Sequence, residues 1–329
     1  MSIETAMAEK AGLIDKELDA VFPKNGIANL QEAVWYHIGT GGKRIRPVLA
    51  IATYEALGGK GDKILPFAAA CEVLHAWLLI HDDIEDGDRM RRDKPTVWIK
   101  YGMPHAINIG DYMSQKMYEL ILRCRDRGMD EKTVFRLIDA IVTTAIKTAE
   151  GQTMDMNMRF TEAPAEEEYM KTVTGKTAHY LTVPAIGGAI GAGADEKLIQ
   201  KILKYGEYAG PAFQIADDVL DMSEGKGRGE IGRDIKEGKR SIMVVHCLSR
   251  CNADEKEKLL AILANGPEKT TDHDVLWAKV LFEKHGSIEY AREKAKNLIV
   301  KAKKTTEDMP DGLRNILNSF ADYLVERKK

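Results

Sequence analysis

Apolar residues recur at three- and four-residue intervals along almost the whole chain, and no run alternates convincingly with period two. The pattern predicts helices over residues 3–20, 30–37, 46–57, 62–86, 104–125, 131–155, 165–173 and 176–190, then 195–222, 240–248, 253–263, 271–284, 288–307 and 310–328. Gly, Pro and Asn mark the joints, as at Gly58-Gly59, Gly128, Asn265-Gly266-Pro267 and Pro310-Asp311-Gly312. No joint is long or polar enough to separate domains. The expectation is an all-α, single-domain bundle of about 12 to 15 helices spanning 1–329, with no short-period repeat of the solenoid kind. The segments 62–86 and 195–222 look too apolar around their circumference for surface helices, which puts them at the centre of the bundle.

Each of these two segments ends in acids. The first closes with His81-Asp82-Asp83-Ile84-Glu85-Asp86, the second with Asp217-Asp218-Val219-Leu220-Asp221. In a helix, Asp82 and Asp86 lie one turn apart on one face, a spacing at which carboxylates share a hard cation. Gly87 and Ser223-Glu224-Gly225 follow directly, so both clusters sit near helix C-termini. There the macrodipole disfavours each acid by about 0.3–1 kcal/mol, and acids cap the opposite end. Two such copies facing one cavity mouth, compensated by bound Mg2+, account for the pattern better than a solvated face does.

Bulk composition narrows the field. The chain has 329 residues, 44% hydrophobic and 30% charged, and a net charge of −3, which argues against nucleic acid as a partner. Cysteines 71, 124, 247 and 251 show neither disulfide nor zinc spacing and fit reduced thiols in a cytoplasmic protein. The first residues alternate acids and bases and do not read as a signal or transit peptide. No apolar run is long enough to span a membrane.

Basic residues supply the anion chemistry. In Gly41-Gly42-Lys43-Arg44-Ile45-Arg46-Pro47, glycines let the backbone turn closely, and cations stand at the start of a helix, where they are disfavoured unless an anion binds. Arg91-Arg92 follows the first acidic motif, and two guanidinium forks near a metal-binding cluster suit a diphosphate. Thr174-Gly175-Lys176-Thr177 ends like a P-loop, but Met170 occupies the position of the required glycine and no strand precedes it. Set in or beside a helix kink, Lys176 and Thr177 would instead serve a diphosphate or a developing cation. An EF-hand and a histidine-liganded phosphohydrolase both fail to explain the set.

The ordered set resembles the short-chain trans-prenyl diphosphate synthases. It comprises Gly-Gly-Lys43, the first acidic motif with Arg91-Arg92, Gly151-Gln152, Lys176-Thr177, Phe213-Gln214 with the second motif, and Gly238-Lys239-Arg240. The resemblance implies a homodimer that condenses isopentenyl diphosphate with an allylic diphosphate in a central elongation cavity. It implies that Lys43, Arg46, His75 and Arg92 bind isopentenyl diphosphate. Asp82, Asp86 and Asp217 would hold a cluster of three Mg2+ ions, with Asp83, Asp218 and Asp221 orienting those ligands or their waters. Arg91, Lys176, Gln214 and Lys239 would hold the allylic diphosphate, with Lys176, Thr177 and Gln214 facing the allylic cation and its leaving group. Ionisation would leave a carbocation that the isopentenyl double bond attacks, with the departing diphosphate taking the proton.

Two positions depart from the family pattern: Glu230 stands where a lysine is usual, with Lys226, Arg228 or Arg233 as substitutes, and Asp93 replaces the glycine after the arginine pair. Product length rests on the resemblance too. Trp77, the fifth residue before the first motif, would close the cavity floor, while Leu78 replaces the second aromatic of farnesyl-type enzymes, so C20 geranylgeranyl diphosphate is expected and C15 farnesyl diphosphate is the alternative. Helical geometry alone turns Trp77 about 140° from Asp82 and would not choose it. A class I terpene cyclase and a non-catalytic subunit of a heteromeric synthase are the remaining alternatives.

Overall fold

The computed structural model describes residues 3–223 and 231–326. Fifteen helices are found among them: α1 (Ile3–Val21), α2 (Gln31–Ile38), α3 (Ile45–Ala56), α4 (Leu65–Glu85), α5 (Val97–Tyr101), α6 (Met103–Asp126), α7 (Glu131–Met158) and α8 (Glu166–Gly191), then α9 (Glu196–Asp221), α10 (Arg233–Lys236), α11 (Ile242–Leu248), α12 (Ala253–Ala264), α13 (Asp272–Lys284), α14 (Ser287–Lys304) and α15 (Asp311–Glu326). The fold is all-α, as the periodicity predicts, with one small exception. Strands β1 (Met90–Arg91) and β2 (Lys94–Pro95) pair antiparallel directly after α4, too short for any alternation to show in the sequence.

The described residues group into two compact units, neither continuous in sequence. One comprises 1–144, 181–204 and 305–320; the other comprises 145–180, 205–304 and 321–329. In the first unit α4 is the organising helix. Its N-terminal half, Phe67 to Leu74, is buried on every side, and it packs most extensively on α6 and also on α3, α1 and α5. Small residues admit large neighbours here. A Cβ on Gly187 would fall on the ring of Phe67, and one on Gly110 would fall on His81 Nε2.

In the second unit Tyr169, Tyr205 and Phe282 are the largest fully buried side chains. Helices α12 and α13 begin with reciprocal capping boxes, Asn252 with Glu255 and Thr271 with Asp274, each satisfying two backbone donors. Helix α9 differs from the expectation of burial all round: Gln200, Lys204 and Glu207 are exposed on one side, while Ile202, Tyr205, Ala209 and Ala212 are buried. The break expected at Thr174-Gly175 is also absent, since α8 runs straight through it. The glycine that closeness requires here is Gly151, not Gly175. A Cβ on Gly151 of α7 would lie 2.2 Å from Lys176 N and 2.6 Å from Gly175 C, so the two helix backbones touch at this point. On α9, a Cβ on Gly210 would lie 2.8 Å from Thr177 Oγ1 and 3.0 Å from Ala178 N.

Candidate active site

Two groups of site residues emerge, one in each unit. The first is built by the end of α4 and the hairpin behind it. Asp86 is the C-cap of α4, Gly87 turns the chain at φ 67°, and Asp88 N donates to Asp83 O at 2.8 Å. Thr96 Oγ1 and Trp98 Nε1 both donate to Asp88 O, at 2.9 and 2.7 Å, which pins the acidic turn to the segment after the hairpin. Arg91 then sits among carboxylates: its Nε donates to Asp83 Oδ1 at 2.5 Å, and Nη2 reaches Asp88 Oδ2 at 3.2 Å and Asp82 Oδ2 at 3.6 Å. Asp83 is almost wholly buried, and burial raises its carboxyl to about 7 despite Arg91 beside it. Its Oδ2 is buried without a hydrogen-bond partner among the described residues.

The hairpin turn explains how Arg92 is aimed. Pairing of Arg91 with Lys94 leaves a two-residue loop, and both loop residues have positive φ, Arg92 at 53° and Asp93 at 60°. That is the type I′ geometry, which favours Gly, Asn or Asp. The exposed Asp93 therefore fills a glycine-like position, and the arginine pair keeps its place. Arg92 Nη1 donates to Thr40 Oγ1 at 3.3 Å, and its guanidinium lies against Gly42, where a Cβ would be only 3.2 Å away. Gly42 has φ 153°, a conformation L side chains rarely adopt, and a Cβ there would also crowd the end of the Arg92 side chain.

Together with His37, His75, Arg44 and Glu72, Arg92 lines a narrow recess. Arg44, the left-handed N-cap of α3, donates to Glu72 Oε1 at 2.5 Å. Arg46 is half-buried in the first turn of α3, whereas Lys43 is exposed. Burial and the neighbouring arginines, Arg91, Arg92 and Arg44, depress the His37 imidazole to about 3; His75 is held well below its usual value by burial and by Arg46, Arg92 and Arg91. Burial likewise lowers the Arg92 guanidinium. A recess that keeps its histidines neutral among so many guanidiniums is short of negative charge, the condition an anionic ligand relieves. On α4, Trp77 is half-buried edge-on to His81 with ring centres 6.2 Å apart, its Nε1 buried without a partner among the described residues; Leu78 is half-buried.

The second group lies on α7, α8, α9 and α10. Asp217 is half-buried, but its neighbours are committed inward. Asp218 accepts from Gln214 Nε2 at 2.9 Å and from Tyr169 Oη at 3.3 Å. Asp221, fully buried, accepts from Asp234 N at 3.0 Å, and its carbonyl accepts from Gly232 N at 2.9 Å. Lys176 Nζ donates to Asp155 Oδ2 at 3.2 Å, and the buried Thr177 hydroxyl donates to Val173 O. Lys239 Nζ lies 2.7 Å from Glu237 Oε2 and 3.5 Å from Asp234 Oδ1. Arg233, one substitute considered for the missing lysine, donates to Glu237 Oε1 at 3.1 Å. Glu230, Lys226 and Arg228 lie outside the described residues.

Sequence reasoning missed the residues that hold the cations: Asp88, Asp155, Asp234 and Glu237, with His37 and Glu72 around the recess. Only Glu237, directly before Gly238-Lys239, and His37, four residues before Gly41, carried any positional signal. The donor sets are carboxylate oxygens, the chemistry that Mg2+ takes, and a buried carboxylate oxygen lacking a partner fits a site that a cation completes.

An all-α chain with paired aspartate motifs at helix ends, backed by arginines and lysines suited to phosphate oxygens, defines the class of helical enzymes that handle diphosphates through hard cations. The comparisons make this particular: the chain matches the polyprenyl synthetase family over residues 27–280 and belongs to it. It is a prenyltransferase. It is 38% identical over 294 residues to the short chain isoprenyl diphosphate synthase of Methanothermobacter thermautotrophicus, covering 88% of each chain. It is 34% identical over 313 residues to the geranylgeranyl diphosphate synthase of Saccharolobus solfataricus, covering 94% of this chain and 93% of that one. In structure it is similar to the geranylgeranyl pyrophosphate synthetase from Pyrococcus horikoshii, with a TM-score of 0.87 and 34% identity over 98% of this chain and 99% of that one. No helix among the described residues is long and apolar enough to cross a membrane.

Proposed function

We propose that this chain elongates allylic diphosphates with isopentenyl diphosphate to geranylgeranyl diphosphate. The observation that carries the reading is the presence of fixed cations in each group of site residues, Arg91 held by Asp82, Asp83 and Asp88, and Lys176 and Lys239 held by Asp155, Asp234 and Glu237 in the group that contains Asp217. Lys43, Arg46, His75 and Arg92 bind isopentenyl diphosphate, and the cation-rich recess lined by His75 and Arg92 supports this assignment. Arg91, Lys176, Gln214 and Lys239 hold the allylic diphosphate and stabilise the charge that develops as it departs. Asp82, Asp86 and Asp217 hold Mg2+, three ions with substrate bound. Mg2+ there would neutralise the leaving diphosphate. Asp218 and Asp221 use their carboxylates to fix Gln214 and the start of α10, and Asp83 fixes Arg91. Thr177, with its proton given to Val173 O, keeps its oxygen lone pairs to offer a developing cation.

The same proposal takes residues 1–329 as a single domain acting as a homodimer, with an apolar elongation cavity that excludes water and is closed by Trp77. The four cysteines are thiols, which fits a cytoplasmic protein. Purified chain incubated with both substrates and Mg2+, followed by dephosphorylation and chromatography, should give a C20 alcohol. EDTA should abolish turnover, and Asp82→Ala or Asp217→Ala should lower kcat by about 100-fold or more. A C15 product would replace the length assignment, and full turnover in EDTA would refute the role given to the aspartates.

A further inference from the structure

The two arginines that follow the first aspartate motif are held in opposite ways. Arg91 is surrounded by carboxylates, its Nε on Asp83 Oδ1 at 2.5 Å and its Nη2 on Asp88 Oδ2 at 3.2 Å, so its charge is matched inside the protein. Arg92, the next residue, donates instead to a neutral oxygen, Thr40 Oγ1, at 3.3 Å. Glu72, the carboxylate that lines the same recess, is hydrogen-bonded to Arg44 at 2.5 Å. The Thr40 hydroxyl has a single proton, and that proton is given to His37 O at 2.8 Å, which leaves lone pairs to face Arg92. Thr40 N also donates to His37 O, at 3.1 Å, so the last turn of α2 fixes the hydroxyl. Neighbours of Thr40 hold the hairpin itself: Tyr36 Oη donates to Pro95 O at 2.7 Å, and Lys94 Nζ donates to Gly39 O at 3.2 Å. Those two bonds end on main-chain carbonyls and fasten the hairpin, whereas the bond at Thr40 aims a guanidinium.

We propose that Thr40 is a positioning residue for isopentenyl diphosphate, its hydroxyl aiming the Arg92 guanidinium while leaving the positive charge for the substrate's diphosphate. The proposal rests on the reading above that Arg92 binds that substrate. A carboxylate at position 40 would hold the arginine more tightly, because a hydrogen bond between ionised partners is the stronger kind. It would also neutralise the guanidinium and repel the diphosphate. An aliphatic side chain of the same shape would leave the charge and lose the direction. A hydroxyl whose proton is already engaged by a carbonyl supplies direction without a countercharge.

The test is steady-state kinetics of the full chain with Mg2+ and both substrates, on Thr40→Val, Thr40→Ser, Thr40→Asp, Arg92→Gln and the double variant Thr40→Val/Arg92→Gln. Thr40→Val should raise the KM for isopentenyl diphosphate about threefold to tenfold, the scale of one hydrogen bond, and move the KM for the allylic substrate by less than about twofold. Thr40→Ser should hold both values within about twofold of the wild type. Thr40→Asp should raise the KM for isopentenyl diphosphate at least as far as Thr40→Val does, although it keeps an acceptor. Because Thr40 acts through Arg92, Thr40→Val should add nothing to the effect of Arg92→Gln. Thermal unfolding shows whether each variant is folded, and the contrast between Thr40→Ser and Thr40→Asp decides the matter if Thr40→Val is not. An unchanged KM in a folded Thr40→Val, a lowered KM in Thr40→Asp, or additive effects in the double variant overturns the proposal and leaves Arg92 in its role. If Arg92→Gln itself leaves the KM for isopentenyl diphosphate unaltered, the assignment of Arg92 falls and the proposal falls with it.

Discussion

The contact between Gly151 and the backbone at Lys176 yields an asymmetric pair of substitutions. In Gly151→Ala the added methyl would meet Lys176 N at 2.2 Å and Lys176 Cα at 2.5 Å. Ordinary contact begins near 3.4 Å, so α7 and α8 must separate by about 1 Å, and no flexible side chain can absorb the shift because both partners are main chain. Overpacking of this kind costs about 1–3 kcal/mol. The same displacement moves Lys176, and about 1 Å of misplacement at a reacting centre is worth about 100-fold in rate. Gly175→Ala is the internal control. Its methyl would lie 3.6 Å from Gly151 Cα, an acceptable contact, and alanine is favoured over glycine in a helix interior by about 0.8–1 kcal/mol. Urea unfolding and steady-state kinetics on the two variants should therefore move in opposite directions in stability, with kcat falling only for Gly151→Ala. If Gly175→Ala is the more damaging of the two, or if Gly151→Ala unfolds within 0.5 kcal/mol of wild type, the crossing does not position Lys176.

Three further outcomes are expected. His37 is neutral in the folded state with its value near 3, whereas in the unfolded chain it titrates near 6.5. Above pH 6.5 it contributes nothing to the pH dependence; below that the unfolded chain alone takes up a proton, so stability at pH 5 should drop by about 2 kcal/mol. His37→Gln should remove that part of the slope in unfolding experiments between pH 5 and 7.5, and an unchanged slope would show that His37 is not the group responsible. At the hairpin, Asp93→Gly should be tolerated, while Asp93→Val should lose about 1–2 kcal/mol in thermal unfolding and raise the KM for isopentenyl diphosphate by displacing Arg92; equal stability of the two variants would contradict the turn assignment. Trp77→Ala should shift products to C25 and longer and Leu78→Phe towards C15, and unaltered product distributions at comparable activity would move the chain-length stop elsewhere.

Long-range partners separate what the sequence discloses from what it hides. Helices α4 and α9 were legible because an apolar repeat of 3.6 and a terminal cluster of aspartates are both local signals. Gly175 reads as a break because glycine is a poor helix former, yet α8 runs through it, and the glycine that admits the neighbouring backbone is Gly151 on α7, which only the packed crossing reveals. Helix α5 and the hairpin were missed because five residues and two pairs of two are too short to show a period. At 92 and 93, Arg-Asp is not the Asn-Gly that announces a tight turn. The aspartates at 82, 86 and 217 could be picked by motif. Asp155, which holds Lys176 across 21 positions, and Glu72, which holds Arg44 across 28, obey no spacing rule and become visible only when the helices are packed.

Asp221 gives the chain a junction whose two ends are fastened to each other. Its carbonyl and carboxylate accept from Gly232 N and Asp234 N, so the first turn of α10, whose own cap residue Gly232 has no side chain, takes its cap from the end of α9. The placement of Asp234, and through it of Lys239, is inherited from the end of α9, so a buried aspartate sets the reach of a lysine further along the chain.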